Sequence, residues 1–538
     1  MHGYSSPIHR VIIATTPAST LVYFTERPLQ LRFMTAGHTT RLRTARKEFH
    51  NNSTPAQRWS FFAAISLGLL MIGLDNSILF TALPTLTEEL HAGETQQLWI
   101  INAYPLVLAG LLLGTGTLGD KIGHRRMFTT GLVIFGVASL AAAFSPTPAF
   151  LIGARAVLGL GAAVMMPATL ALIRLTFTNE QERNTAIGIW GSVAVVGAAA
   201  GPVVGGALLE MWWWGSVFLI NVPIVVIAII ATALLAPPNM PNPTKHWDFS
   251  SSAYALIALA GLTLTIKEIA NPNRSWVLVA AAFFACIIGG FLFVRRQNKL
   301  EEPLLTFDIF RNRLFIGGVI AASGAMFIMA GLEMITAQKL QLADDFSPFH
   351  AGVIVAVAAI AALPTSALGG ANLHRIGFIP LISGGFLLST LGTVLAMWSA
   401  HADSVAVLIT GLIFLGAGAG ATMSVSSIAI IGSVPMHRSG MAAGVEEVSY
   451  EFGTLLSVAF VGSLTPALYL SNLPANLKHM GTEALHGGLG HADASTAYAS
   501  AYGTTVGCVA VFAFIFTLAT LWCFRGNPKS GGNGGADE

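Results

Sequence analysis

Residues 116–126 read Gly-Thr-Leu-Gly-Asp-Lys-Ile-Gly-His-Arg-Arg, and the run decides the fold through what flanks it. On either side lie apolar stretches, about 98–118 and 127–145. Each has the roughly 20 mainly apolar residues that a bilayer-spanning helix needs. Gly116 and Gly123 let the chain turn tightly against its neighbours. Asp120 is placed to cap or pair at a helix end, while Arg125 and Arg126 stay in water. The stretch therefore reads as a charged turn between two membrane helices.

Working outward from it, the same ruler finds twelve more spans. The N-terminal set comprises about 59–83, 98–118, 127–145, 149–173, 184–209 and 215–236. Two follow at about 251–269 and 275–294, and six more at about 314–337, 350–370, 376–398, 404–430, 440–470 and 503–524. The runs are too long for barrel strands and lack period-2 alternation. Composition agrees: 538 residues are 54% hydrophobic and 10% charged, with mean hydropathy +0.68. Soluble domains carry roughly 25% charged residues, so a water-soluble enzyme is excluded, and a disordered chain falls with it. The expectation is an all-α polytopic membrane protein of 14 transmembrane helices, two six-helix bundles (59–236 and 314–524) with two inserted central helices (251–294). Residues 1–58 read as a poorly ordered cytoplasmic tail and 525–538 as a second tail. Residues 1–33 are either a dispensable extension or sequence upstream of a start at Met34.

The bases set orientation. With both termini cytoplasmic, 23 of the 28 Lys and Arg fall on the inside and four outside, while Arg155 lies within span four. That asymmetry satisfies the positive-inside rule and requires an even number of spans. The net charge of +2, without a concentrated basic face, gives no reason to expect a nucleic-acid partner. Cys286, Cys508 and Cys523 have no ligand-like spacing and read as small apolar residues.

The spacing of residues 116–126 is similar to the signature loop of the major facilitator superfamily, and the resemblance extends from about residue 59 to 524. Arg155-Ala-Val-Leu-Gly159-Leu-Gly161 resembles that family's span-four motif, with Leu158 standing where glutamine is usual. An arginine there costs about 2.5–3.5 kcal/mol on insertion scales and so is expected to face a polar interior. Gly197-Ala-Ala-Ala-Gly201-Pro202-Val-Val-Gly205-Gly206 resembles the antiporter motif, in which small residues four apart permit close helix contact and the proline bends the helix. Trp214-Gly-Ser-Val-Phe218-Leu-Ile-Asn221-Val-Pro223 resembles the start of span six in the same subgroup. Leu74-Asp75-Asn76-Ser77-Ile-Leu-Phe80-Thr-Ala-Leu83-Pro84 is similar to the first-helix motif of the fourteen-span drug:proton antiporters. Gly370-Ala-Asn-Leu-His374-Arg375-Ile-Gly377 looks like a decayed second copy of the signature loop, as a repeat architecture implies.

Five acids fall within apolar spans: Asp75, Glu333, Glu446, Glu447 and Glu451. An isolated carboxylate in a spanning helix is a functional candidate by default. Three share span thirteen, where Glu447 and Glu451 lie on one helix face and Glu446 points about 100° away, nearer Tyr450. Three carboxylates on one turn in a low dielectric cannot all carry charge together. Neutral, the cluster can cross through occluded states; charged, it attracts a cation, and competition of the two gives antiport by reciprocal linkage. The Glu-Glu pair with an acid four residues on also resembles the pattern in quaternary-ammonium and methyl-viologen efflux pumps. Phe80 and Tyr450 could hold a delocalised cation against an aromatic face, and Glu333 is a rim or supporting candidate.

The resemblance thus implies a proton-driven exporter of hydrophobic mono- and dicationic small molecules in the cytoplasmic (inner) membrane. Proton coupling is expected at Asp75, Glu446, Glu447 and Glu451, and substrate contact at Asp75, Glu447, Glu451, Tyr450, Phe80 and Glu333. Gating is expected at Gly116, Asp120, Gly123, Arg125, Arg126, Arg155, Gly201 and Pro202. A proton-coupled transporter of one metabolite or siderophore is the alternative. No cofactor or metal is expected. The chain has no His-Glu-x-x-His pair, and no lysine follows a glycine, so a phosphate-binding Gly-Lys-Ser/Thr loop, and with it ATP-driven transport by this chain, is absent.

Overall fold

The computed structural model describes residues 53–525, apart from 243–246, 271–273, 301–302, 403, 436–437, 479 and 486–489. These residues build fourteen long helices. The first six are α1 (Pro55–Leu90), α2 (Glu94–Ile122), α3 (His124–Ala143), α4 (Pro148–Thr176), α5 (Glu180–Met211) and α6 (Ser216–Leu235). The pair α7 (Phe249–Ala270) and α8 (Trp276–Gln297) follows. The last six are α9 (Arg313–Leu342), α10 (Pro348–Ile376), α11 (Ile379–Ala402), α12 (Val405–Gly432), α13 (Ser439–Asn472) and α14 (His491–Phe524).

Local sequence accounts for where the helices begin. Thr54, Thr147, Asn179, Ser275, Asn312, Ser347 and Ser404 each accept a hydrogen bond from a first-turn amide, satisfying donors that a helix start leaves unpaired. Prolines at the first turn of α1, α4 and α10 add a preset backbone angle. Twelve of the fourteen helices are long and apolar enough to cross a membrane. α2 meets that standard as a bent pair, Thr95–Leu112 and Gly114–Ile122, and α5 contributes the shorter apolar stretch Val196–Met211. Both carry charged ends, Asp120-Lys121 in α2 and Glu180-Gln-Glu-Arg183 in α5. The protein is a multi-pass helical membrane protein, and its fourteen helices are compatible with fourteen spans.

Helix ends depart from the expected spans because apolarity marks the lipid-buried part only. α14 starts at His491 rather than near 503, since Ala494, Ala497 and Ala501 are small enough to bury against their neighbours. Tyr498 there packs on Tyr469 of α13 with ring centroids 5.7 Å apart. Of the expected N-terminal tail, residues 55–58 are instead the first turn of α1; residues 1–52, like 526–538, lie outside the described residues.

Packing repeats. α1 packs on α5 and α6, α4 on α2 and α3, and α3 on α6. In the same positions of the second set, α9 packs on α13 and α14, α12 on α10 and α11, and α11 on α14. The two six-helix bundles meet through α5 on α10, α2 on α13 and α1 on α9, a pattern that keeps its form when the halves are exchanged. The inserted α7 packs on α8 and against both α2 and α13, so it bridges the two bundles along one side.

Candidate functional site

The charged turn is shorter than the sequence suggested. α2 runs to Ile122 and α3 begins at His124, so Gly123 alone connects them, at φ 96°. Only glycine takes that conformation without strain. Asn239, in the segment after α6, straps the turn: its Nδ2 donates to Ile122 O at 2.8 Å and its Oδ1 accepts from Arg126 N at 3.2 Å. Arg125 donates to Ala233 O of α6 at 3.0 Å, and Asp120 pairs with His124 at 3.1 Å. Gly116 sits a turn and more earlier on α2, half-buried. The second copy has a similar turn, with Gly377 at φ 87° followed by Phe378 between α10 and α11.

Asp75 is not an isolated carboxylate. It is fully buried on α1 and accepts from Arg155 Nη1 of α4 at 2.5 Å and from Asn221 Nδ2 of α6 at 2.8 Å. Arg155 also donates to Ile100 O at 3.1 Å and lies over the Tyr104 ring of α2 at 4.6 Å. Arg155 thus reaches the polar interior expected of it, at the junction of α1, α2, α4 and α6. Its Nη2 is buried without a hydrogen-bond partner among the described residues, as is the Tyr104 hydroxyl.

The three acids of α13 divide by face. Glu446 accepts from Tyr450 Oη at 2.9 Å and from Ser427 of α12 at 3.2 Å. That seam also holds Tyr450 against Met423 O and Ser426, so its hydroxyl is engaged within the C-terminal bundle. Glu447 and Glu451 are half-buried on the next ridge of the helix. Glu451 Oε2 is buried without a hydrogen-bond partner among the described residues, and Glu451 lies within electrostatic reach of Arg155 and Tyr104 in the other bundle. Buried polar atoms are nearly always paired; of the fifteen unpaired ones among the described residues, those of Arg155, Tyr104 and Glu451 belong to residues within electrostatic reach of one another. Glu333 of α9 is buried and has no hydrogen bond among the described residues. Phe80 lies in the core at 3% exposure.

The glycine-rich stretch of α5 lies between α1 and α10. A Cβ on Gly201 would overlap the Ser77 hydroxyl of α1 and come within 2.8 Å of Ile78 N. Gly206 faces the Pro348–Phe349 backbone of α10, and a Cβ on Gly352 would meet the carbonyl of Pro202. Pro202, within α5, is therefore in contact with the opposite bundle. Two hydrogen bonds cross between bundles among the described residues: Gln341 Nε2 of α9 to Thr81 O of α1 at 3.0 Å, and Phe349 N to Glu210 Oε1 at 3.3 Å. Both lie at the end of the bundle where α1 finishes and α10 starts.

Asn221, Asn239, Tyr104 and Gly352 were not among the residues the sequence singled out for the site. Asn221 carried a signal as a strong polar group in an apolar span. Asn239 and Gly352 had none, because their partners lie more than a hundred residues away.

Two repeated six-helix bundles, the first with a membrane-embedded ion pair, define the class as a polytopic transporter. The sequence profile of the Major Facilitator Superfamily matches residues 65–299. Multidrug efflux pump LfrA of Mycolicibacterium smegmatis is 36% identical over 447 residues, covering 82% of this chain and 88% of that protein. Methyl viologen resistance protein SmvA of Salmonella typhimurium is 35% identical over 428 residues, covering 78% and 86%. Among solved structures, a bacterial homologue of the human lysosomal transporter Spinster superposes with a TM-score of 0.63 at 16% identity, covering 88% of this chain and 98% of that one. The chain belongs to the Major Facilitator Superfamily.

Proposed function

We propose that this chain is a proton-driven antiporter that exports hydrophobic mono- and dicationic drugs and biocides by alternating access. Quaternary ammonium compounds, methyl viologen and cationic dyes are the substrates in view. The observation that carries the reading is Arg155, ion-paired with Asp75 in its own bundle and within electrostatic reach of Glu451 of the other, whose Oε2 has no hydrogen-bond partner among the described residues. Kinship with a multidrug efflux pump and a methyl viologen resistance protein supports the substrate class.

The chemistry follows from charge. A cation entering beside Glu447 and Glu451 replaces protons there, since the carboxylates bind either but not both. Asp75 and Glu446 take part as proton carriers, each with a partner that registers its charge: Arg155 for the first, Tyr450 and Ser427 for the second. Glu333, Tyr450 and Phe80 complete the substrate surface in other states of the cycle. Gly201 and Pro202 let α5 slide on α1 and α10, while Gly116, Asp120, Gly123, Arg125 and Arg126 hold the opposite end. The protein sits in the cytoplasmic membrane with both termini inside, as the excess of bases on that side requires.

Methyl viologen and ethidium efflux should stop when the proton gradient is collapsed. Efflux that persists would overturn proton coupling. Glu451→Gln should weaken dicationic substrates at least tenfold more than monocationic ones, read as resistance at equal expression. Equal loss for both would remove Glu451 from direct charge contact. Glu447→Gln should retain drug binding but release fewer protons per drug bound.

A further inference from the structure

A cavity of about 410 Å³ lies on the side of α13 turned away from its acids. Its walls are apolar: Val319, Ile320 and Phe327 of α9, Phe452 of α13, Phe516 of α14, and Phe310 of the 3-10 turn Phe307–Arg311. Glu446, on another ridge, is tied to α12, and no carboxylate among the described residues lines this space. The volume lies within the roughly 300–1,000 Å³ range of small-molecule sites.

The rim has the opposite character to the walls. Arg311 follows Phe310 directly, is exposed, and has no ion-pair or hydrogen-bond partner among the described residues. Arg313 is exposed and lies over the ring of Trp522 at 4.9 Å. Trp522 is itself 57% exposed on α14, as tryptophans are at the headgroup level of a membrane. Arg313 lies six residues, about 9 Å along the axis of α9, before Val319, and Trp522 lies six residues beyond Phe516 on α14. The nearby Asp308 is occupied by Arg438 at 2.6 Å and does not neutralise Arg311. Positive charge at the mouth disfavours a cationic drug and favours an anion.

We propose that this crevice is a binding site for an anionic membrane phospholipid, one acyl chain against the apolar walls and the headgroup phosphate on Arg311 and Arg313. The bilayer supplies the occupant directly, and the site stands apart from the transport reading above. Each arginine near a headgroup contributes about 1 kcal/mol, or about fivefold, so two give a preference for anionic over zwitterionic lipid of about 25-fold.

The full chain, purified in mild detergent and delipidated, is titrated with phosphatidylglycerol or phosphatidylethanolamine of equal chain length and read by native mass spectrometry. The wild type should bind one phosphatidylglycerol about 25-fold more tightly than phosphatidylethanolamine. Arg311→Gln with Arg313→Gln should reduce that preference to threefold or less, and Val319→Trp should abolish retention of both lipids. Ile320→Phe serves as a second, milder filling variant, with the thermal midpoint as the check on folding. Equal affinity for the two lipids in the wild type, or an unchanged preference in the double arginine variant, would overturn the headgroup assignment. Full lipid retention by both folded filling variants would overturn the crevice, as would displacement of bound lipid by ethidium, which would mark a drug entrance instead.

Discussion

The ion pair of Asp75 and Arg155 sets what single substitutions can do. Breaking a buried pair by removing one partner costs about 3–5 kcal/mol, because the other charge is left uncompensated. Asp75→Asn should therefore lower the thermal midpoint in detergent and lose export broadly at equal expression. Asp75→Asn combined with Arg155→Gln should regain much of the midpoint while export stays absent. A double variant as unstable as the single one would show that the pair's energy is not the issue. At the charged turn, Asn239→Ala removes two hydrogen bonds across Gly123 and should cost about 1–3 kcal/mol. Legibility differs sharply between these two places. Asp75 and Arg155 stand out as charges in apolar spans, though their pairing over 80 positions does not. Asn239 is one more polar residue in a Pro- and Asn-rich connection until the fold brings it to Ile122.

At the scale of the helix, α5 is the element whose composition says most. Its glycines permit backbone contact with α1 on one side and α10 on the other. Gly201→Ala puts a methyl group into the Ser77 hydroxyl, and overpacking of this kind costs about 1–3 kcal/mol. Export should fall several-fold with little change in drug affinity, measured as vesicle transport against dye binding. The start of α13 is held differently, by Arg438 on Asp308. The Arg438 hydrogen bond, with a second from Thr306, holds the Asp308 carboxyl below its ordinary value. A carboxylate so lowered contributes stability that is complete above its unfolded pKa and is lost as pH falls through the lowered one. Asp308→Asn should thus lower the midpoint slightly at neutral pH, by at most about 1 kcal/mol since both side chains are partly in water. The wild-type and variant midpoints should converge in acid. A gap that widens on acidification would count against this bond.

Over the whole molecule, the bundles are joined by interchangeable contacts, α5 on α10 and α2 on α13. Such an interface allows one half to rock on the other about the residues between them. The hydrogen bonds Gln341–Thr81 and Phe349–Glu210 close the end where α1 finishes. Spin labels at Glu210 and Phe349 should report a short distance that lengthens when a proton gradient and substrate drive the cycle. A distance unchanged under every condition would rule out opening at that end. The inserted α7, seated on both α2 and α13, must follow or restrain that motion, a role for which its apolar sequence offered no sign.

Hydropathy alone determined that this is a helical membrane protein with about fourteen spans, because burying some twenty residues in lipid demands a composition that nothing else produces. The same scarcity of charge made Arg155 and the five membrane acids conspicuous. Tertiary structure alone decided which charges meet. Asp75 proved to be paired, Glu446 tied to α12, and Glu451 left without a hydrogen bond within electrostatic reach of Arg155 in the other bundle. It also placed α7 across both halves and set an apolar crevice on the side of α13 turned away from Glu447 and Glu451. Partition into a membrane is a sum over single residues and so can be read along the chain. Pairing depends on which distant segments share a surface, and that is set only when the whole bundle packs.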